Sequence, residues 1–390
     1  MTKINDIGTV AREKKAGRIA IVVVFGFALW LPMIQMCFPL FPELESSEKR
    51  TLAPPPKIGK LRLRSFNRLR RDFEPYFNDH FGFRNYLVRA DSLLTLNVFK
   101  ISPTPNVVIG KDGWLYYNSK EGGCNLPDFF GRANFTTEQL ETIGNYTTRI
   151  RREMDKRGIR FLIVLAPNKQ SIYPNYLPGN VQIRKGKKTR ADQLDELFAA
   201  RGIDFVDLRE PLLRAKKIYP YDLYYKTDTH WNELGAFVGY EAIMGEIKRT
   251  HPGISFFKPE DFSITQKENK QNTDLAGYIG MGGSMEDESI FMTPNAPVKA
   301  AFLSSGSLNI ATEDFQSKIA QGGDPKAPKV LVFGDSFISA MLPFLIESFS
   351  RSVFLWQQKV DLDIVDKEKP DIVLFEFVER FSENAIMANQ

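Results

Sequence analysis

A short apolar run that breaks on Gly-Asp-Ser and resumes as an apolar stretch of helical length constrains this chain more than any other feature. Lys329-Val-Leu-Val-Phe-Gly-Asp-Ser-Phe337 sets four apolar residues, three of them β-branched or aromatic, before Gly334-Asp335-Ser336, and the stretch from Phe337 to Phe349 follows. The pattern reads as a strand, a tight turn and a helix. A serine at such a turn stands at the mouth of a sheet and at a helix N-terminus, where unpaired N–H groups and the positive dipole end favour negative charge. A serine nucleophile needs that stabilisation for its oxyanion. The segment also fits a plain turn, with Gly334 making the bend and Ser336 capping the helix, so both readings stand here.

Further short apolar runs alternate with helical patterns. Arg160 to Pro167, Ile203 to Leu208, Val353 to Trp356 and Asp371 to Val378 read as strands. Thr136 with Gln139 forms a capping box for a helix reaching about Lys156 and ended by Gly158; a second helix covers Thr189 to Ala200 before Gly202, and Asn232 caps a third from Glu233 to Arg249. Strands alternating with helices predict an α/β fold: a parallel sheet with helices on both faces and ligands at the carboxyl ends of the strands. Gly110 to Tyr117 reads as a turn leading into a strand, about where the globular domain starts. Ser255 to Gly323, polar and glycine-rich around Gly277 to Gly283, reads as an insertion or lid, with bounds of about 253–327.

Before that domain, Ile19 to Leu40 is apolar with Gln35 its one strongly polar member. About 20 such residues cross a bilayer core as a helix. Arg12, Lys14, Lys15 and Arg18 precede it, which places the N-terminus in the cytoplasm and the rest outside. A cleaved signal peptide is the competing reading; the run lacks a small-x-small cleavage site and Cys37 lacks a lipoprotein box, so an uncleaved anchor is expected. The organisation that follows is a tail at 1–16, an anchor at 17–41, a tether and amphipathic helical segment at 42–100 and a catalytic domain at 101–390. Within the third part, residues 43–60 are proline-rich and extended, and the apolar residues from Leu61 to Phe99 recur at helical spacing among arginines. That helix either lies on anionic lipid or packs on the domain below. His80 reads as a structural turn histidine.

Composition closes off several classes. The net charge of +5, from 52 basic and 47 acidic residues, does not argue for nucleic acid. With Cys37 in the apolar run, Cys124 stands alone, so no disulfide framework forms. Without Cys-x-x-Cys, and with three histidines far apart, no zinc site is expected, and no cofactor is called for.

The second informative stretch is Tyr225-Lys-Thr-Asp-Thr-His-Trp-Asn232. Asp228 and His230, two apart, project to one side of an extended loop, so the carboxylate can bind one imidazole nitrogen and leave the other as a general base. Alone, Asp-x-His also fits a hydrogen-bonded loop or half a metal site, but His80 and His251 bring no second ligand set. Trp231 and Trp114 are either sugar-stacking rings or buried aromatics. Together with Ser336, Asp228 and His230 complete a nucleophile, base and orienter, in the order Asp, His, Ser.

In these residues the chain resembles the SGNH hydrolase superfamily, which has a flavodoxin-like α/β sheet. Gly334-Asp335-Ser336 is similar to its first block, and Asp228-Thr-His230-Trp to its Asp/His block placed ahead of the serine. That permuted order is similar to the alginate O-acetyltransferase group of SGNH-like periplasmic proteins. Glu48 to Pro54, Phe77 to Arg84, Gly110 to Leu115, Pro167 to Pro174 and Val378 to Arg380 resemble the group too. The resemblance implies a Ser336 nucleophile, His230 as base and Asp228 as orienter, transferring acetyl to hydroxyls of an exported polysaccharide. It implies a polytopic membrane O-acyltransferase as acetyl donor and the bacterial inner membrane as location, with a periplasmic catalytic domain. The separate glycine and asparagine blocks are not identifiable. Gly280, Gly282 and Gly283 stand as candidates for the second oxyanion donor beside the Ser336 amide, with Trp231 and Arg380 as substrate or oxyanion candidates. Because the chain stops soon after Arg380, polymer grip is expected from the catalytic face or another subunit. A carbohydrate acetylesterase using the same trio, and a non-catalytic polysaccharide-binding scaffold, are the competing functions.

Overall fold

The computed structural model describes residues 2–42, 51–56, 63–99, 101–119, 123, 125–269, 273–303 and 317–383. Residue contacts divide the chain into one compact unit of 1–103 with 279–281, and a second of 104–278 with 282–390. Most of the expected tether, and Cys124, lie outside the described residues.

In the first unit one helix runs Thr2–Cys37, and its segment Arg18–Cys37 is long and apolar enough to cross a membrane. Its apolar side chains, among them Val22, Phe25 and Trp30, are exposed. The polar exception, Gln35, closes the helix end through its side chain. Its Oε1 accepts the amides of Leu40 and Phe41 while its Nε2 donates to the Phe41 carbonyl. The amphipathic stretch forms two helices, Leu63–His80 and Arg84–Leu94, rather than one. The break falls where Gly82 meets the Pro32 carbonyl, a spot where a Cβ would lie 2.1 Å from that oxygen, and where Phe83 takes a positive φ of 64°. His80 Nδ1 meets the Tyr76 carbonyl at 2.9 Å, and its ring stacks on Tyr76, a structural setting.

The second unit is built on eleven strands of the described residues: β1 (Val107–Ile109), β2 (Leu115–Tyr117), β3 (Arg160–Ala166), β4 (Phe205–Asp207), β5 (Phe262–Asn269), β6 (Asp287–Pro294), β7 (Ala301–Phe302), β8 (Lys318–Gln321), β9 (Lys329–Gly334), β10 (Arg351–Trp356) and β11 (Ile372–Val378). Seven of them form one sheet in the order β4-β3-β11-β9-β10-β8-β7. The β4-β3-β11-β9-β10 block is parallel, as the continuous apolar runs predict. The expectation of an all-parallel sheet is corrected at one edge, where β8 pairs antiparallel with β10 and β7 antiparallel with β8. Both come from the stretch read as an insertion, which also folds β5 and β6 into an antiparallel hairpin.

Alternate residues of the central strands feed two cores. Leu162, Val164, Val332 and Leu374 join the core with helices Arg209–Ile218 and Glu233–Lys248, while Ile163, Phe333, Val373 and Phe375 join the one with Thr137–Lys156 and Arg190–Arg201. The caps read from sequence at Thr136 and Asn232 are present: Thr136 and Gln139 exchange side-chain and backbone bonds, and Asn232 accepts the Gly235 amide; Thr189, read as the first residue of its helix, caps it instead and exchanges the same bonds with Asp192.

After β9 the single helix expected over Phe337 to Phe349 is two, Ser336–Ser339 and Leu342–Ser348. Pro343 lacks the N–H that a continuous helix needs there and starts the second piece instead. Gly334 ends β9 because the Glu376 carboxylate from β11 crowds it: a Cβ would lie 2.8 Å from Glu376 Oε2 and 3.1 Å from Ile338 Cγ2. Gly334→Ala is therefore expected to destabilise the fold by about 1–3 kcal/mol, read as a lower Tm. An unchanged Tm would show that Glu376 yields without cost.

Candidate active site

Ser336 opens the short helix at the carboxyl end of β9, in the middle of the sheet. Its turn is braced by two acids. Asp335 accepts the amide of Phe337 with one oxygen and that of Val378 with the other, both at 2.9 Å, tying the elbow to the end of β11. Glu376 Oε2 accepts the Asp335 amide at 3.0 Å. Burial, and then the Asp335 charge, hold the Glu376 carboxyl well above its ordinary range.

Across from the elbow, residues 223–232 form a loop closed by an isolated bridge between Tyr224 and Trp231 and by the Asn232 amide donating to the Leu223 carbonyl. His230 sits near its tip. His230 Nε2 lies 2.7 Å from Ser336 Oγ, and Nδ1 lies 2.6 Å from Asp228 Oδ1. With Asp228 ionised, Nδ1 carries the proton and donates to it, leaving Nε2 to accept from the serine hydroxyl. Burial raises the Asp228 carboxyl, but the His230 hydrogen bond and charge and the amides of Asp274 and His230 outweigh it, so the net shift is downward. The carboxylate thus stays charged where the imidazole needs it.

The loop is held by side chains rather than by a ladder. Asp287 accepts the amides of Lys226 and Thr227 and the Thr227 hydroxyl. Asp274 accepts the Thr229 amide at 2.8 Å and its hydroxyl at 2.5 Å, while its own amide donates to Asp228. Burial, followed by the Asp228 charge, raises the Asp274 carboxyl. Trp231 Nε1 donates to the Phe337 carbonyl at 3.0 Å, and the two rings meet edge to face at 4.9 Å, which joins the loop to the elbow. Asp228, His230 and Asp274 place ligand atoms within 4.8 Å of one another. That spacing would admit a cation, but hydrogen bonds already occupy all three groups. A hydroxyl, an imidazole and a half-buried carboxylate in line can run nucleophilic acyl transfer.

The sequence pattern of the family described as the SGNH hydrolase-like domain, acetyltransferase AlgX, matches residues 107–359, which hold all three groups. The chain belongs to this family. The probable alginate O-acetylase AlgJ of Pseudomonas aeruginosa is 29% identical over 188 residues, 47% of this chain and 44% of that protein. The chain thus spans about half the length of the curated relatives it matches. Bacillus cereus PatB1 shares the fold at a TM-score of 0.51 and 20% identity, over 70% of this chain and 96% of that one. A DHHW family protein from Eubacterium siraeum does so at 0.51 and 16% identity, over 73% and 96%.

In this AlgX-family domain the other sequence candidates fall differently. Trp231 is 1% exposed, so it offers no face to a sugar; its role is the bond to Phe337. Trp114 is equally buried and stacks on Tyr173 and Tyr176. Arg380 is buried beside the elbow, its guanidinium 5.1 Å from the Phe337 ring and Nη1 donating to Asn168 at 3.3 Å. Its Nε is buried with no partner among the described residues. No described hydrogen bond joins Gly280, Gly282 or Gly283 to the trio. Gly280 belongs to the unit of residues 1–103, where a Cβ would meet Ser92 Oγ at 2.8 Å.

Sequence reasoning missed Asp274, Asp287, Glu376 and Lys169. Lys169 had a usable signal, since it opens the short helix just after Pro167 and Asn168, at the carboxyl end of a strand parallel to the elbow strand.

Because the folded-state pKa of Glu376 is raised, its stabilising contribution is full below its unfolded value of about 4.3 and is lost as pH rises through the folded one. Glu376→Gln keeps an acceptor for the Asp335 amide. It is expected to gain Tm relative to wild type as pH rises from mildly acidic to mildly alkaline. A Tm difference constant across that range would mean Glu376 ionises as freely folded as unfolded.

Proposed function

We propose that this chain is a membrane-anchored, extracytoplasmic O-acetyltransferase that acetylates hydroxyls of an exported polysaccharide through an acetyl-Ser336 intermediate. The observation that carries the reading is the continuous relay from Ser336 Oγ to His230 to Asp228, at 2.7 and 2.6 Å, inside an AlgX-family domain. The relatives' description as alginate O-acetylases supports an anionic exported polymer as acceptor. The apolar helix with its basic flank supports an anchor in the inner membrane, N-terminus in the cytoplasm and catalytic unit in the periplasm. A polytopic membrane O-acyltransferase is the expected donor of acetyl.

Ser336 Oγ attacks the donor's acetyl carbon while His230 Nε2 takes the hydroxyl proton. The Ser336 amide, at the first helical position, faces the developing oxyanion. Collapse breaks the bond to the leaving group, which takes the proton from His230, and acetyl-Ser336 remains. A sugar hydroxyl then loses its proton to His230 and attacks the ester; Ser336 leaves and regains the proton. Asp228 holds the imidazole in one tautomer through both halves and stabilises its charged form.

The test uses the purified full chain, an activated acetyl ester and an oligosaccharide acceptor. Wild type is expected to carry one acetyl group on Ser336 by peptide mass mapping and to pass it to the sugar. Ser336→Ala and His230→Ala should each lower kcat by about 10⁴–10⁶, and Asp228→Asn by about 10⁴. Full transfer by Ser336→Ala would reject the mechanism, and release of free acetate with acceptor present would favour the esterase.

A further inference from the structure

Lys169 follows β3 and reaches under the Asp-His loop. It is 3% exposed, and its Nζ ends on three carbonyl oxygens: Tyr225 at 2.9 Å, Lys226 at 2.9 Å and Asp228 at 2.5 Å. An ammonium has three donors, so all are spent on this backbone and none on a carboxylate. The rings of Trp114 and Tyr116 stand 5.6 Å away on its other side.

Burying a charge this deeply is costly, and a neutral donor could tether a loop. The surroundings explain why a cation is used. Burial pushes Lys169 down and Asp274, Asp228 and Asp287 pull it part of the way back, leaving it at about 8. Two of these flank the base: His230 Nδ1 has Asp228 at 2.6 Å and Asp274 at 3.9 Å. Among the described residues the His230 ring also meets the Thr229 hydroxyl, 3.2 Å from Nδ1, as well as Ser336 and the Phe337 ring, and the Arg380 guanidinium lies 5.1 Å from that Phe337 ring. Paired carboxylates without a counter-charge favour a proton on the imidazole between them, and a protonated imidazole cannot take the serine proton.

We propose that Lys169 is a positioning residue whose ammonium fixes the carbonyls of 225–228 and offsets Asp228 and Asp274, so that His230 meets Ser336 as a neutral base. This rests on the acyl-transfer reading above. Lys169 touches no reacting atom and acts through the loop.

The experiment measures kcat and KM for acetyl release from 4-nitrophenyl acetate by the full chain across the acidic and neutral range. Lys169→Met removes the charge and keeps the length. It is expected to lower kcat about tenfold or more at neutral pH with KM little changed, and to move the acidic limb of the profile up by about one pH unit. Asp274→Asn should move that limb down, and the double variant should bring it back toward wild type. An unmoved limb in Lys169→Met, however large the rate loss, reduces Lys169 to packing and overturns the proposal. If Lys169→Met does not fold, Asp274→Asn decides: an unmoved limb again overturns it. Ser336→Ala separates the two claims. Activity surviving there sinks the acyl-transfer reading itself, whereas a dead Ser336→Ala beside an unmoved limb sinks only the role of Lys169.

Discussion

Every buried backbone N–H and C=O needs a partner, and the loop that carries Asp228 and His230 has almost no ladder to supply them. Its amides turn instead to the carboxylates of Asp287, Asp274 and Asp228, and the carbonyls of Tyr225, Lys226 and Asp228 to one ammonium, while the Leu115 and Ala276 amides reach those of Lys226 and Thr227. Charge-assisted bonds are shorter and stronger than neutral ones. An irregular segment is thereby held firmly enough to keep an imidazole aimed at one hydroxyl. The geometry of the site is an electrostatic property of its surroundings before it is a property of the three reacting groups.

The elbow meets the same demand in another way. Asp335, just past the end of β9, and Glu376, on the adjacent β11, together accept the amides of Asp335, Phe337 and Val378. Two buried carboxyls so close cannot both ionise cheaply, and the raised affinity of Glu376 for its proton resolves the conflict. The absent side chain of Gly334 makes room for that arrangement. A Gly-Asp-Ser turn is thus specified by the strand beside it as much as by its own sequence.

What could be read from the chain divides along the range of the interactions. The parallel strands were legible because both faces are covered, leaving runs such as Ile372 to Phe375 with no polar residue. Capped helices were legible because a cap is a contact across three residues. Ser336, His230 and Asp228, singled out from residue type and order, lie together although 106 positions part the imidazole from the hydroxyl. Asp274 and Asp287 stayed hidden: they reach the loop from 45 and 60 residues away, within a polar stretch whose hairpin has no turn signature. The antiparallel edge was missed because β7 and β8 are too short for alternation to show. The helix break at Pro343 was readable and went against the apolar length of its segment.

Among the described residues the sheet tapers at both sides, to three residues in β4 and two in β7. A strand so brief offers an incoming chain only a few open donors and acceptors, too few to seed pairing between molecules. Such blunt margins let copies crowd together while each keeps its hydrogen bonds to itself.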